Sequence, residues 1–272
     1  MNIALYHRQI DPADAPAFEQ LVSELHRAGI TTVTVSDGDN VDGFDYLFSI
    51  GGDGTLLAAV QLISAASAET FPPVLGINFG HLGFLTSVGK ENIDGLVDNL
   101  LAGRYTLEER TLLQLSTPHT PLATPYALNE VFVHRTDQGS LLRTQLYVDD
   151  QYVATYAGDG LIVATPTGST AYSLSCGGPI LTPDSRGLLI TPISAHTLTL
   201  RPIIIPDTAT LRLHVNDDCF IGRDSYRSTL AGGTDILLQR APFTIRLIRM
   251  NTQNFFSAMR DKLMWGTEIR NA

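Results

Sequence analysis

Cysteine is scarce in this sequence: only Cys176 and Cys219 occur among 272 residues, and neither belongs to a CxxC pair. That argues against a disulfide framework and a structural zinc site and fits a reducing compartment. Long apolar runs are missing as well. No stretch approaches the ~18–20 consecutive apolar residues of a membrane span, and the opening Met1–His7 is not a basic region followed by an apolar one. The expected location is the cytoplasm, with no membrane partner. Basic residues are few, 18 Lys and Arg against 28 Asp and Glu, for a net charge of −10. Non-specific nucleic-acid binding is driven by Lys and Arg neutralising phosphates, so nucleic acid is not an expected partner. Any phosphate must be held by backbone N–H groups, a few cations or a metal ion. No Walker-type GxxxxGK[ST] occurs either, which leaves an ATP site unread.

What is present is apolar. Charged residues make up only 17% of the chain and mean hydropathy is +0.08, which calls for a large core or an oligomer interface. The length suits two modest domains or one large one. Ile3 to Tyr6 reads as a buried strand. Ala15 to Ala28 carries Phe18, Leu21, Val22 and Leu25 at helical spacing, with Gly29 placed as a C-cap. Thr31 to Val35, Tyr46 to Ile50 and Val74 to Asn78 are further short strands, and Leu56 to about Ala66 reads as a helix. Buried strands alternating with helices imply a parallel sheet covered on both faces. From about Thr111 the pattern changes to strands and turns: 112–116, 127–134, 144–148, 198–205, 209–215, 235–239 and 243–248, with a turn at Asp149-Asp150. This part is expected to be mostly antiparallel, a sandwich. The tail from Asn251 to about Leu263 reads as a helix, with Phe255, Phe256, Met259 and Leu263 on one side.

Four segments carry chemistry. Gly51-Gly52-Asp53-Gly54-Thr55 lies between a strand and a helix, at the carboxyl end of a parallel sheet, where such folds bind ligands. Glycines let the backbone approach a phosphate, and the helix that follows offers free N–H groups. An Asp there would repel a phosphate unless it accepts a proton or helps hold a metal ion. A tight turn with Asp as a helix cap is the other reading. The run Asn78-Phe79-Gly80-His81-Leu82-Gly83-Phe84-Leu85 would neighbour that loop, or is a glycine pair with aromatic packing; His81 alone reads as structural. Asn129-Glu130, an amide beside a carboxylate within an apolar strand context, can recognise ribose hydroxyls, or marks a turn or bulge. Finally, Asp159-Gly160 opens a buried strand that leads into Thr165 to Ser175. This loop is dense in small hydroxyl residues that can bond ring nitrogens, and Tyr172 could stack on a base.

Together these segments, with the tail 255–263, resemble the ATP-dependent NAD kinase family in its bacterial form. GGDGT is shared with lipid kinases and, more loosely, phosphofructokinases; the DGLIVATPTGSTAYSLS run at 159–175 is far more specific. The resemblance covers almost the whole chain. It implies an α/β N-terminal domain with a Rossmann-like parallel sheet over 1–110, an all-β sandwich C-terminal domain over 111–250, and a C-terminal helix over 251–272 that returns to the first. NAD would sit between the domains and across a subunit contact, in a homodimer or homotetramer. By the same resemblance Asp53 accepts the ribose hydroxyl proton, Gly54 lies beside the dinucleotide and Phe79 walls the adenine pocket. Asn129 and Glu130 bind the dinucleotide, and Asp159 contacts its nicotinamide half. Thr167 offers a hydrogen bond. Thr170, Ala171, Tyr172, Ser173, Leu174 and Ser175 line the site, with Ala171 and Tyr172 against a base. Two departures stand out, Ala157 where some members carry a basic residue and Asp224-Ser225-Tyr226 where some carry Gln, so no site role is assigned at 157 or 226.

The expected reaction is phosphoryl transfer from ATP to the adenosine ribose 2′-hydroxyl of NAD, with Mg²⁺ or another divalent ion neutralising charge. A lipid kinase would need a surface to engage lipid, and no polybasic segment is visible. A dinucleotide sensor without turnover would have no use for Asp53.

Overall fold

The computed structural model describes residues 1–63, 69–80, 83–117, 125–136, 140–250 and 254–265. Among these, the strands sort into a mixed sheet and a separate sheet that is antiparallel throughout. The chain divides into two compact units, Met1–Glu109 with Ile245–Ala272, and Arg110–Thr244.

The first unit contains β1 (Asn2–His7), α1 (Ala15–Arg27), β2 (Thr31–Val35), β3 (Tyr46–Ile50), α2 (Asp53–Val60), β4 (Val74–Asn78), β5 (Val88–Gly89) and α3 (Leu96–Leu101). Its strands run parallel in the order β2-β1-β3-β4, and Leu247 near the end of the chain pairs in parallel with Val74. Ile3 to Tyr6 and all of β4 are buried, as strands covered on both faces must be. α1 buries Leu21 and Leu25 and ends at Gly29, whose φ of +74° few other residues adopt. The N–H groups of Gly29 and Ile30 bond the carbonyls of His26 and Leu25, closing the helix end. The helix expected from Leu56 starts three residues earlier, so Asp53, Gly54 and Thr55 form its first turn. Leu56 to Val60 are all buried, which makes α2 an interior helix rather than an amphipathic one. Residues 64–66 of the expected helix, and the tail residues 251–253, lie outside the described residues.

The second unit contains most of β6 (Tyr105–Ser116), then β7 (Tyr126–Ala127), β8 (Glu130–Arg135), β9 (Leu142–Val148), β10 (Gln151–Gly158), β11 (Gly160–Ala164), α4 (Tyr172–Ser175), β12 (Gly187–Ile193), β13 (Ile203–Pro206), β14 (Leu211–Val215), β15 (Cys219–Arg223), β16 (Tyr226–Leu230) and the first part of β17 (Thr234–Met250). α5 (Phe255–Leu263) follows in the first unit. One ladder runs β10-β9-β14-β17, and the separate sheet runs β13-β12-β11-β8-β15-β16. Asp149 and Asp150 both have positive φ and make the tight hairpin turn that this geometry requires.

Alternation across the separate sheet explains why β11 reads as an unbroken apolar run. Leu161 and Val163 join a core shared with Leu146, Leu213 and Ile236 of the other ladder. Ile162 and Ala164 face the opposite way, toward Phe132, Tyr172 and Leu181. Both faces of this strand are therefore covered, and the second is covered by the hydroxyl-rich loop.

Several expectations need correction. The strand expected over 198–205 begins only at Ile203. The two strands expected over 235–239 and 243–248 are one. Pro242 falls between Leu238, paired with Leu211, and Leu247, paired with Val74. The strand runs on through this proline and changes its partner from β14 to β4. The strand expected over 127–134 is split at Leu128-Asn129.

Candidate active site

In the first unit the glycine turn delivers Asp53 to the start of α2. Its carboxylate accepts three successive backbone N–H groups: Phe84 on Oδ2 at 2.8 Å, and Leu85 and Thr86 on Oδ1 at 3.1 and 3.3 Å. Gly83 is needed for this approach, because a Cβ there would overlap the carboxylate. The Thr86 hydroxyl accepts the Gly83 N–H at 2.9 Å, which fixes the turn from within. Oδ2 takes only one of the three N–H bonds and so keeps a lone pair for another donor. Phe79 follows β4 and is half-buried against the unit's core. Among the described residues, the N–H groups of Gly52, Asp53 and Gly54 have no hydrogen-bond acceptor, so the start of α2 can face an anion. His81 and Leu82 lie outside the described residues.

In the second unit Asn129 and Glu130 are buried at the start of β8. The split in the expected strand has a physical cause. The N–H groups of Leu128, Asn129 and Glu130 turn onto the Asp224 carboxylate, at 2.9, 2.7 and 3.3 Å, instead of onto a strand partner. Asp224 sits at φ +48° in the turn between β15 and β16, a conformation that Asp adopts more readily than most residues. Burial pushes the Asp224 carboxyl up to about 6, with the three N–H bonds and Arg223 pulling the other way. Burial also pushes Glu130 up to about 8, helped by the charge of Asp224 and opposed by a hydrogen bond from the Tyr172 N–H. Glu130 Oε2 is buried with no partner among the described residues.

The hydroxyl-rich loop folds over this corner. Thr165 donates through its hydroxyl to the Leu128 carbonyl at 2.6 Å, and Thr167 to Thr170 form a single 3-10 turn. The Thr167 hydroxyl is buried and accepts from Arg110 at 3.5 Å. The Thr170 hydroxyl bonds the Thr167 carbonyl at 3.2 Å. Ala171 carries an irregular backbone (φ −105°, ψ −127°) that redirects the chain into α4. The Tyr172 ring meets Phe132 edge-on, 5.5 Å between centres and 85° between planes. The Ser173 hydroxyl points inward to Thr191 at 2.7 Å, Leu174 is half-buried, and Ser175 is exposed.

The structure thus gathers Asn129, Glu130 and the 167–175 loop in one unit. Asp159 belongs to the same unit: it precedes β11, at the opposite end of that strand from Ala164, which pairs with Glu130, and its charge acts on Tyr172. Its carboxylate accepts from Arg135 Nε at 2.6 Å, and this bond holds the carboxyl below the usual carboxylate range. Sequence reasoning passed over Asp224. The signal available was an acidic residue in a short turn between two strands, and neither strand had been expected.

A parallel α/β unit that presents a fixed carboxylate and free helix N–H groups at its glycine turn is equipped for phosphoryl transfer, which places the chain among phosphotransferases. The family model for the ATP-NAD kinase N-terminal domain matches residues 12–105, and that for the ATP-NAD kinase C-terminal domain matches residues 128–250. An NAD kinase of Christiangramia forsetii is 40% identical over 236 residues, 85% of this chain and 79% of that protein. An NAD kinase of Porphyromonas gingivalis is 42% identical over 229 residues, 83% and 78% of the two. The chain belongs to the NAD kinase family. Two solved structures share the fold: a yeast NADH kinase complexed with NADH (TM-score 0.89, 23% identity, 100% of this chain and 89% of that one) and an NAD kinase from Archaeoglobus fulgidus in complex with ATP (TM-score 0.81, 24% identity, 97% and 99%).

Proposed function

We infer that the chain phosphorylates NAD to NADP, moving the γ-phosphoryl group of ATP to the adenosine ribose 2′-hydroxyl. Asp53 is the base that takes the hydroxyl proton. The observation that carries this assignment is the carboxylate held by three N–H groups, with a lone pair left on Oδ2. A ribose hydroxyl is a weak acid, and a positioned base is worth ~10²–10⁴ in rate. Among the described residues no three His, Cys, Asp or Glu side chains cluster as a metal site. That donor set suits Mg²⁺ or another divalent ion carried on the ATP phosphates, where such ions keep few protein ligands. When bound, the ion neutralises charge on the phosphoryl oxygens.

Asn129 and Glu130 hold the dinucleotide. Asp159 meets its nicotinamide half, Phe79 walls the adenine pocket, and Thr167 and the 170–175 segment complete the lining. The fold is a Rossmann-like sheet followed by a β-sandwich, supported by the single core that draws on both ladders of the second unit. The enzyme works in the cytoplasm, consistent with two free cysteines, and assembles as a homodimer or homotetramer. The exposed apolar side chains of Tyr152, Leu198 and Ile204 support assembly. Among the described residues no helix is long and apolar enough to cross a membrane. A coupled assay for NADP formed from NAD, ATP and Mg²⁺ tests the activity; no NADP above the enzyme-free blank would defeat it.

Gly54 separates a folding role from a binding one. A Cβ at Gly54 would meet nothing within 4 Å, and Ala is the better helix former by roughly 1 kcal/mol. Gly54→Ala therefore keeps or raises the melting temperature while lowering kcat/KM for NAD at least about tenfold. Wild-type kcat/KM would show that no substrate approaches that backbone.

Tyr172 contributes ring area. Stacking contacts are worth roughly 0.5–1.5 kcal/mol beyond burial, and ~1.4 kcal/mol is a factor of ten. Tyr172→Phe leaves the NAD KM within about threefold, and Tyr172→Ala raises it about tenfold. If Phe proves as damaging as Ala, the hydroxyl matters and the stacking role fails.

A further inference from the structure

The N–H cradle around Asp53 has a second side. The carbonyls of the same residues face Arg249, near the end of β17. Its Nη2 donates to Phe84 O at 2.8 Å, and its Nη1 to Leu85 O at 3.0 Å and Thr86 O at 3.3 Å. Its Nε donates to Glu108 at 2.9 Å, and the side chain is only 11% exposed. Two peptide groups, 84–85 and 85–86, therefore touch both charges, with their N–H at Asp53 and their C=O at Arg249. Anion and cation lie at the matching ends of these peptide dipoles, so each strengthens the other's hydrogen bonds through the peptide between them. The segment has further support from the tail: Phe255 packs against Phe84 with centres 6.2 Å apart, and Lys262 Nζ lies 5.7 Å from the same ring centre.

We propose that Arg249 is a positioning residue for phosphoryl transfer, holding the 84–86 backbone so that its N–H groups fix the Asp53 carboxylate. The planar guanidinium suits the task because it bridges three carbonyls and one carboxylate at once, whereas an ammonium is a point charge with three donors on a flexible stem. Arg249 is 196 residues from Asp53 in the sequence, and no motif links them. The inference rests on Asp53 acting as the base.

Arg249→Lys keeps the charge and most of the apolar stem. In the full-length enzyme, assayed well below its own melting temperature, it lowers kcat about tenfold and leaves the KM values for NAD and ATP within about threefold. A small misplacement of a reacting group costs rate rather than affinity. Arg249→Ala loses more, and added ethylguanidinium restores part of its kcat where the same concentration of ethylammonium does not. The deciding measurement is the double variant. Because Arg249 acts through Asp53, Asp53→Asn with Arg249→Lys is no slower than Asp53→Asn alone, a non-additivity that a general loss of stability does not produce. Wild-type kcat in Arg249→Lys, or additive losses in the double variant, overturns the proposal. Should Arg249→Ala fail to fold, the Arg249→Lys cycle decides by itself. If Asp53→Asn alone keeps wild-type kcat, it is the base assignment that has failed.

Discussion

Asp53→Asn lowers kcat for NADP formation by about 10²-fold or more, the range that a positioned base supplies. The amide keeps the size of the carboxylate and loses its basicity. It also loses one acceptor. Phe84 donates to one oxygen, and Leu85 and Thr86 to the other, so an Asn side chain must turn its NH₂ toward at least one N–H. A donor left unpaired costs ~1–3 kcal/mol, and the variant melts at a lower temperature. The chemical and structural effects separate because the NAD affinity, measured by calorimetry on folded protein, changes little. A variant that keeps more than about a tenth of wild-type kcat removes Asp53 from the base role.

Glu130→Gln stabilises the protein, and does so only at higher pH. Folded Glu130 holds its proton up to about pH 8, chiefly because of burial, while the unfolded chain releases it in the usual carboxylate range. Between those two points the native state binds more protons than the unfolded state, so this group lowers stability as pH rises. Its cost is absent below the unfolded value and complete above about pH 8. A shift of this size corresponds to a few kcal/mol at ~1.4 kcal/mol per unit. Gln mimics the neutral acid, accepts the Tyr172 N–H and has no proton to lose. Denaturant unfolding at a series of pH values therefore gives curves that coincide below about pH 4 and separate toward about pH 9, with the variant more stable. Parallel curves would show that Glu130 is already ionised in the native protein at neutral pH.

Much of the molecule was legible from local pattern. β1, β2, β3 and β4 follow from short apolar or β-branched runs, and α1 from Leu21 and Leu25 with Gly29 at its end. The GGDGT and 159–175 segments drew attention to the residues that later proved to be Asp53 and the loop over Glu130. What was missed has identifiable causes. β10 and β16 expose many of their side chains, so they lack the apolar alternation that marks a half-buried strand, and β15 is a short, largely buried strand interrupted by Gly222. β12 is buried throughout, and a run of that kind has no period to read.

The sequence by itself determined the short strands and first helix of the N-terminal unit, and where a glycine turn would place a carboxylate, because both depend on residues within one or two turns of each other. Only the tertiary structure decided how that carboxylate is held. The Phe84 N–H lies 31 residues from Asp53, Arg249 reaches a carbonyl 165 residues away, and Asp224 splits a strand 94 to 96 residues before it. Each of these bonds joins a charged side chain to main-chain N–H or C=O groups. Every residue but proline carries both groups, so their pairing leaves no mark in the side-chain pattern, and only folding selects which of them a charge will meet.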